Sequence, residues 1–217
     1  MLHDLLGEDI SVYAFEPIPE TYEILDLNVQ SLSTQKIYTL PFGLSDANKV
    51  AEFSYSSGGS ALSSIYPYDG AEQRMIKRAF IRTLNYLPKN APLFLKLLNK
   101  MPGQVLNFVL SHMAKKAFDF KQVTCQLKTV SELMAELNIS AIDLLKIDVE
   151  KSELDVIHGI EDRDWEKIKQ IIIEVHDISD RISVLTQILY SHGFKQVHVE
   201  QEVELIGTNI HCIYALK

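Results

Sequence analysis

The chain is short of cysteine, of excess basic charge and of uninterrupted apolar sequence, and each shortage removes a class of protein. Its 217 residues hold two cysteines, Cys125 and Cys212, far apart in apolar, strand-like runs. Their spacing suits no metal site, so both read as reduced core thiols, and a cytoplasmic protein fits best. The formal net charge of −8 excludes broad attraction of the whole chain to nucleic acid or acidic membrane. The most apolar long segment, 91–110, is interrupted by Lys96, Lys100, Pro102 and Gly103, whereas a spanning helix needs about 20 apolar residues. The opening MLHDLL lacks the basic start and apolar length of a signal peptide. Repeats and low-complexity tracts are absent as well. What is present is ordinary globular composition, 47% hydrophobic and 23% charged, in a length suited to one domain over residues 1–217.

Short β-rich runs alternate with helical runs, the pattern of a parallel sheet covered by helices in an α/β fold. The first strand is Ser11 to Phe15. Pro19 opens a helix whose Tyr22, Leu25 and Val29 share one face with the preceding Ile18. Ile37 to Leu40 is a second strand, and Val50 to Tyr55 reads as an edge strand or hairpin arm before the turn Gly58-Gly59-Ser60. Over 68–120 the alternation gives way to a helical insert punctuated at Pro88, Pro92 and Pro102-Gly103. Val123 to Leu127 resumes strand character. Thr129 to Glu132 spells a capping box, with Glu132 expected to reach back to the cap. Ile142 to Val149 reads as a central strand buried on both faces, followed by a helix from near Ser152. Gln170 to Asp177 forms another central strand, and the next helix stops at Gly193. Two last strands, Phe194 to Glu200 and Asn209 to Leu216, have no helix between them and so form an antiparallel pair at one edge.

Ligands of open α/β sheets bind beyond the carboxyl ends of the strands. The polar residues there are Glu16, Asp46, Asp148, Glu150, Glu174, His176 and Asp177. A carboxylate at a strand tip, such as Glu16, can accept from both hydroxyls of a ribose, or can simply favour the start of the following helix. The ribose reading suits a nicotinamide-dependent oxidoreductase as well as a methyltransferase. Asp148 and Glu150 flank one residue and point to the same side of an extended backbone, as do Glu174 and His176. A histidine beside carboxylates can act as general base, or the group can bond within the rim. The same residue types could also hold a divalent metal, though no spacing demands one. The insert gathers Arg74, Lys77, Arg78, Arg82, Lys89, Lys96, Lys100, Lys115, Lys116 and Lys121 against Asp69, Glu72 and Asp119. It reads as a lid whose long cations cover apolar surface, or as the contact for an acidic partner. In the latter case the chain could serve as a non-catalytic interaction module.

Four strings, VYAFEPIP at 12–19, FGLSD at 42–46, LKIDVEKSE at 145–153 and IEVHD at 173–177, together resemble the FkbM-type methyltransferases. The order and spacing of all four make the resemblance specific. It implies a Rossmann-like methyltransferase sheet with an antiparallel C-terminal edge, S-adenosylmethionine as methyl donor, and O-methylation of a small metabolite, sugar or carrier-bound intermediate. By position, Glu16 would hold the ribose and Asp46 the adenine side, with Pro17, Leu44 and Ser45 beside the cofactor. Asp148 would stand at the methyl-transfer site, lined by Glu174 and His176. The family pattern has glycine where this chain has Lys151, which is expected to put a long cation beside the site or to force a different turn. The resemblance also implies a first, central strand and a glycine-rich turn ahead of Met1, so the domain is expected to be N-terminally truncated, its first strand missing.

Overall fold

The computed structural model describes residues 10–32, 36–58, 62–84 and 91–217. Strands and helices alternate as the periodicity requires. Strand β1 (Val12–Phe15) leads into helix α1 (Pro19–Gln30), and β2 (Ile37–Leu40) returns parallel to β1, with Val12 opposite Ile37. Ile18, just ahead of α1, is buried, while Tyr22, Leu25 and Val29 are half-buried on the helix face below it.

The second sheet departs from the expected single layer. Here β5 (Lys121–Lys128) pairs parallel with the short β3 (Gly43–Leu44) and antiparallel with β4 (Lys49–Tyr55). The helical insert therefore sits as an excursion between two paired strands. Its helices are α2 (Gly70–Leu84), α3 (Leu93–Asn99) and α4 (Gly103–Ala117). Pro92 and Pro102 stand immediately before α3 and α4, where a missing N–H costs nothing. The insert carries its own small core of Leu84, Leu98 and Leu110. Pro88, Lys89 and the Gly59-Ser60 part of the expected turn lie outside the described residues.

The third sheet has the order β6 (Leu145–Ile147), β7 (Gln170–His176), β9 (Ile210–Leu216), β8 (Gln196–Glu200). β6 and β7 are parallel; β9 runs antiparallel to both β7 and β8, the edge expected from the missing helix. Helices α5 (Val130–Glu136), α6 (Glu153–His158), α7 (Asp162–Trp165) and α8 (Arg181–Ser191) complete the chain order. Ile171, Ile173 and Val175 of β7 are fully buried in one core with Val156 and Ile157 of α6 and Leu185 and Leu189 of α8. Each such side chain contributes roughly 1.5–3 kcal/mol.

Two expectations for this sheet are corrected. The strand read over Ile142 to Val149 is ladder-bonded only over Leu145–Ile147, with Ile142 joined by a lone bridge to Ile168. Burial on both faces also fails: Lys146 is exposed, and Ile172 and Glu174 are half-buried, so one face is open. The capping box is half formed, because Glu132 N–H donates to Thr129 Oγ1 at 3.0 Å while the Glu132 carboxylate accepts from Asn48 instead. Among the described residues no strand pairs with the second edge of β1 or of β6. Among the described residues, no helix is long and apolar enough to cross a membrane.

Candidate active site

Because β6 and β7 are parallel neighbours, their carboxyl ends open on one rim, and the chain places its acids there. Carboxylate oxygens of Asp148, Glu150 and Glu174 all lie within 4.8 Å of one another. The three are held differently. Asp148, on the exposed side, takes Lys146 Nζ at 2.7 Å. Glu150 accepts from the Tyr68 hydroxyl. Among the described residues no hydrogen bond ties down Glu174, and burial, then the neighbouring charges of Asp148 and Glu150, raise its carboxyl above the ordinary range.

Behind this rim lies a buried charge network. Glu153, the first residue of α6, is 0% exposed. Its Oε1 accepts from Lys151 N–H at 2.8 Å and faces His176 Nδ1 at 2.9 Å, while Oε2 meets Arg181 Nη1 at 2.5 Å. His176 Nε2 stands 3.3 Å from Glu150 Oε2, an ion-pair contact not aligned as a hydrogen bond. Two acids and two cations balance, which is the condition for keeping charges out of water. Burial pulls the Glu153 carboxyl up, but His176 and Arg181 outweigh it and hold the group below its ordinary value.

This network surrounds His176, the expected general base, with acids. Burial alone would lower the imidazole, but contacts with Glu150 and Glu153 prevail and raise it to about 9. An imidazole raised in this way is held toward its cationic form, which weakens it as an acceptor for the proton of an attacking hydroxyl. Both of its nitrogens face glutamates, an arrangement that favours the cationic imidazole.

The turn that presents Glu150 is left-handed at two successive positions, Glu150 (φ 45°) and Lys151 (φ 78°). Such backbone costs about 1–3 kcal/mol per residue unless the surroundings hold it. They do: Ser64 donates to the Glu150 carbonyl, and Arg181 Nη1 to the Lys151 carbonyl at 2.7 Å. The cation expected beside the site from Lys151 is instead 3% exposed. Its ammonium lies 2.8 Å from the Glu72 carboxylate, 3.1 Å from the Pro67 carbonyl and 3.9 Å from the centre of the Tyr68 ring. The clasp ties the start of α2 to the rim. Sequence reasoning missed Tyr68, Arg181 and the inward role of Glu153. The only local signal was Glu153 in the first turn of a helix, where a carboxylate is favoured anyway.

The residues assigned to the cofactor side form a second group, on the turns after β1 and β3. Glu16 is half-buried and accepts Ile18 N–H at 2.8 Å through Oε1. Burial raises its carboxyl, and that N–H partly offsets the rise. Pro17 packs beside Gly43, where a Cβ would sit 3.3 Å from Pro17 and 2.7 Å from Leu127 Cδ2. Leu44 leans on the main core. Ser45 is fully buried and its Oγ donates to Asp46 Oδ1 at 3.0 Å. Asp46 is paired with Lys49 at 2.5 Å, and that ammonium, then Ser45, hold its carboxyl low. Gly159 brings the two groups into one frame: a Cβ there would meet the Ser45 carbonyl oxygen at 2.1 Å, so the end of α6 can lie against the Ser45 turn only as glycine.

Residues 1–196 match the family described as the methyltransferase FkbM domain. The 31-O-demethyl-FK506 methyltransferase FkbM of Streptomyces tacrolimicus is 30% identical over 207 residues, 95% of this chain and 71% of that protein. The AMB antimetabolite synthetase AmbE of Pseudomonas aeruginosa is 32% identical over 215 residues, 95% of this chain but 9% of that much longer protein. Methyltransferase 1 of Beauveria bassiana is 24% identical, over 85% of this chain and 62% of its own length. No solved structure matches significantly. The chain is a member of the FkbM methyltransferase domain family.

Proposed function

We propose that the chain transfers a methyl group from S-adenosylmethionine to a hydroxyl of a small-molecule or carrier-bound acceptor, at the rim formed by Asp148, Glu150 and Glu174. The observation that carries this reading is the approach of these three carboxylates, with one of them, Glu174, left free of hydrogen bonds. The residues present suit the donor. Glu16 spends one carboxylate oxygen on Ile18 N–H, leaving the other to accept ribose hydroxyls, and Asp46 offers a second acceptor beyond its bond to Lys49. When bound, S-adenosylmethionine supplies an electrophilic methyl on a sulfonium, and an acidic rim is complementary to that positive charge.

Glu174 takes the proton of the acceptor hydroxyl, its raised carboxyl making it a better base than a fully solvated one. Asp148 and Glu150 orient the acceptor. His176, Glu153 and Arg181 fix the Glu150 turn and do not touch substrate. The row Arg74, Arg78, Arg82, one helical turn apart along α2, supports an acidic partner for a carrier-bound acceptor. The insert over 68–120 serves as the lid over the rim. The test is methyl transfer from labelled S-adenosylmethionine to hydroxylated acceptors, comparing wild type with Glu174→Gln. Transfer should fall by roughly 10²–10⁴-fold while cofactor binding persists. Undiminished transfer in that variant would remove Glu174 from the mechanism.

A further inference from the structure

The insert forms a second, separate space, a groove open to solvent on one side. A space of about 490 Å³ lies between α2, α4 and Ser57, Gly58 and Leu62, its apolar wall made by Ile76, Phe80, Met113 and Phe118, with Lys77 and Lys116 beside them. That size falls within the roughly 300–1,000 Å³ of small-ligand sites. The two ammonium groups are not balanced by acid. Lys77 Nζ donates to the neutral Ser111 Oγ at 2.9 Å, and among the described residues no carboxylate pairs with Lys77 or Lys116.

An apolar chamber flanked by two uncompensated cations is complementary to one chemistry, an aliphatic chain ending in an anion. We propose that this cavity binds a single-chain aliphatic carboxylate, the chain among Ile76, Phe80, Met113 and Phe118 and the carboxylate at Lys77 and Lys116. The proposal does not rest on the methyl-transfer reading, and its test reads binding alone. The cavity is nonetheless connected to the rim: Leu62 lines it, and Ser64, two residues on, bonds the Glu150 carbonyl.

The experiment is calorimetric titration of the full chain with monomeric laurate, without S-adenosylmethionine, beside dodecanol and a series of shorter and longer carboxylates. Laurate should bind at one site and about tenfold or more tighter than dodecanol, the effect of a charge-assisted contact. Affinity should rise about fourfold per added methylene and then level off once the cavity is full. Lys77→Glu with Lys116→Glu should abolish the preference for laurate over dodecanol. Ala114→Phe and Ala117→Phe, each placed on the lining face of α4 and first checked by circular dichroism, should weaken both ligands. Phe108→Ser, on the exposed outer face, should change neither. Absence of saturable binding, equal affinity for laurate and dodecanol, or affinity climbing without a plateau overturns the proposal. So does loss of binding in Phe108→Ser with both alanine variants unaffected.

Discussion

The buried imidazole of His176 sets a pH dependence of stability that can be worked from its surroundings. In the folded chain the group is raised from 6.5 to about 9, because Glu150 and Glu153 outweigh the effect of burial. A group raised by folding contributes its full stabilisation below its unfolded value and loses it as pH climbs through the folded one. The window is therefore pH 6.5 to 9. At 1.36 kcal/mol per pH unit the whole effect is roughly 3 kcal/mol, a large share of the ~5–15 kcal/mol typical of a domain. The neighbouring acids titrate elsewhere: Glu153, held low, acts below the ordinary carboxylate range, and the raised Glu174 acts above it in the acid region. The Cys125 thiol, pushed up to about 11 by burial, acts above pH 9. Urea denaturation of wild type and His176→Gln at half-unit steps measures the difference. The wild-type midpoint should fall steadily from pH 6.5 to 9 and the variant's should stay flat, so that the two converge. Parallel curves across that window would refute a charged His176 in the folded state.

Removing the acid that His176 and Arg181 share should be costlier: Glu153→Gln leaves the buried His176 and the part-buried Arg181 without their common carboxylate and should destabilise by about 3–5 kcal/mol in thermal or urea unfolding. Glu16→Gln, at a half-buried strand tip, should weaken S-adenosylmethionine about ten- to hundredfold by calorimetry with the unfolding midpoint nearly unchanged. Hydrogen exchange should be slowest at Ile171–Ile173, flanked by β6 and β9, and faster at Val12–Phe15, which among the described residues pairs on one side only.

Much of the layout was legible from periodicity. Pro19 opening α1, the strand at Gln170 and the left-handed Gly193 (φ 87°) closing α8 are local signals, and local signals survive tertiary packing. The pairing of β4 with β5 was not legible, because the two are separated by the whole insert and nothing in either strand names its partner. Within the candidate site, Asp148 and Glu174 could be found from their places at strand ends. The role of His176 could not: its charge depends on Glu153, which reaches it from a helix, and on Glu150, whose left-handed turn no propensity foretells. Lys151 was expected to project or to alter the turn. The turn is altered, with positive φ at the residue, and the ammonium folds inward, because Glu72 and Tyr68 arrive from a distant segment to receive it.

That meeting of Lys151 with Tyr68 and Glu72 has a consequence for any exchange of parts among relatives. A chimera that replaces residues 68–84 by a segment lacking the phenol and the acid would strand the Lys151 ammonium in a dry interior. The reverse graft would leave an acid and a phenol with no cation to hold. Residues 68, 72 and 151 therefore have to be exchanged together, though some eighty positions separate the two ends of the group.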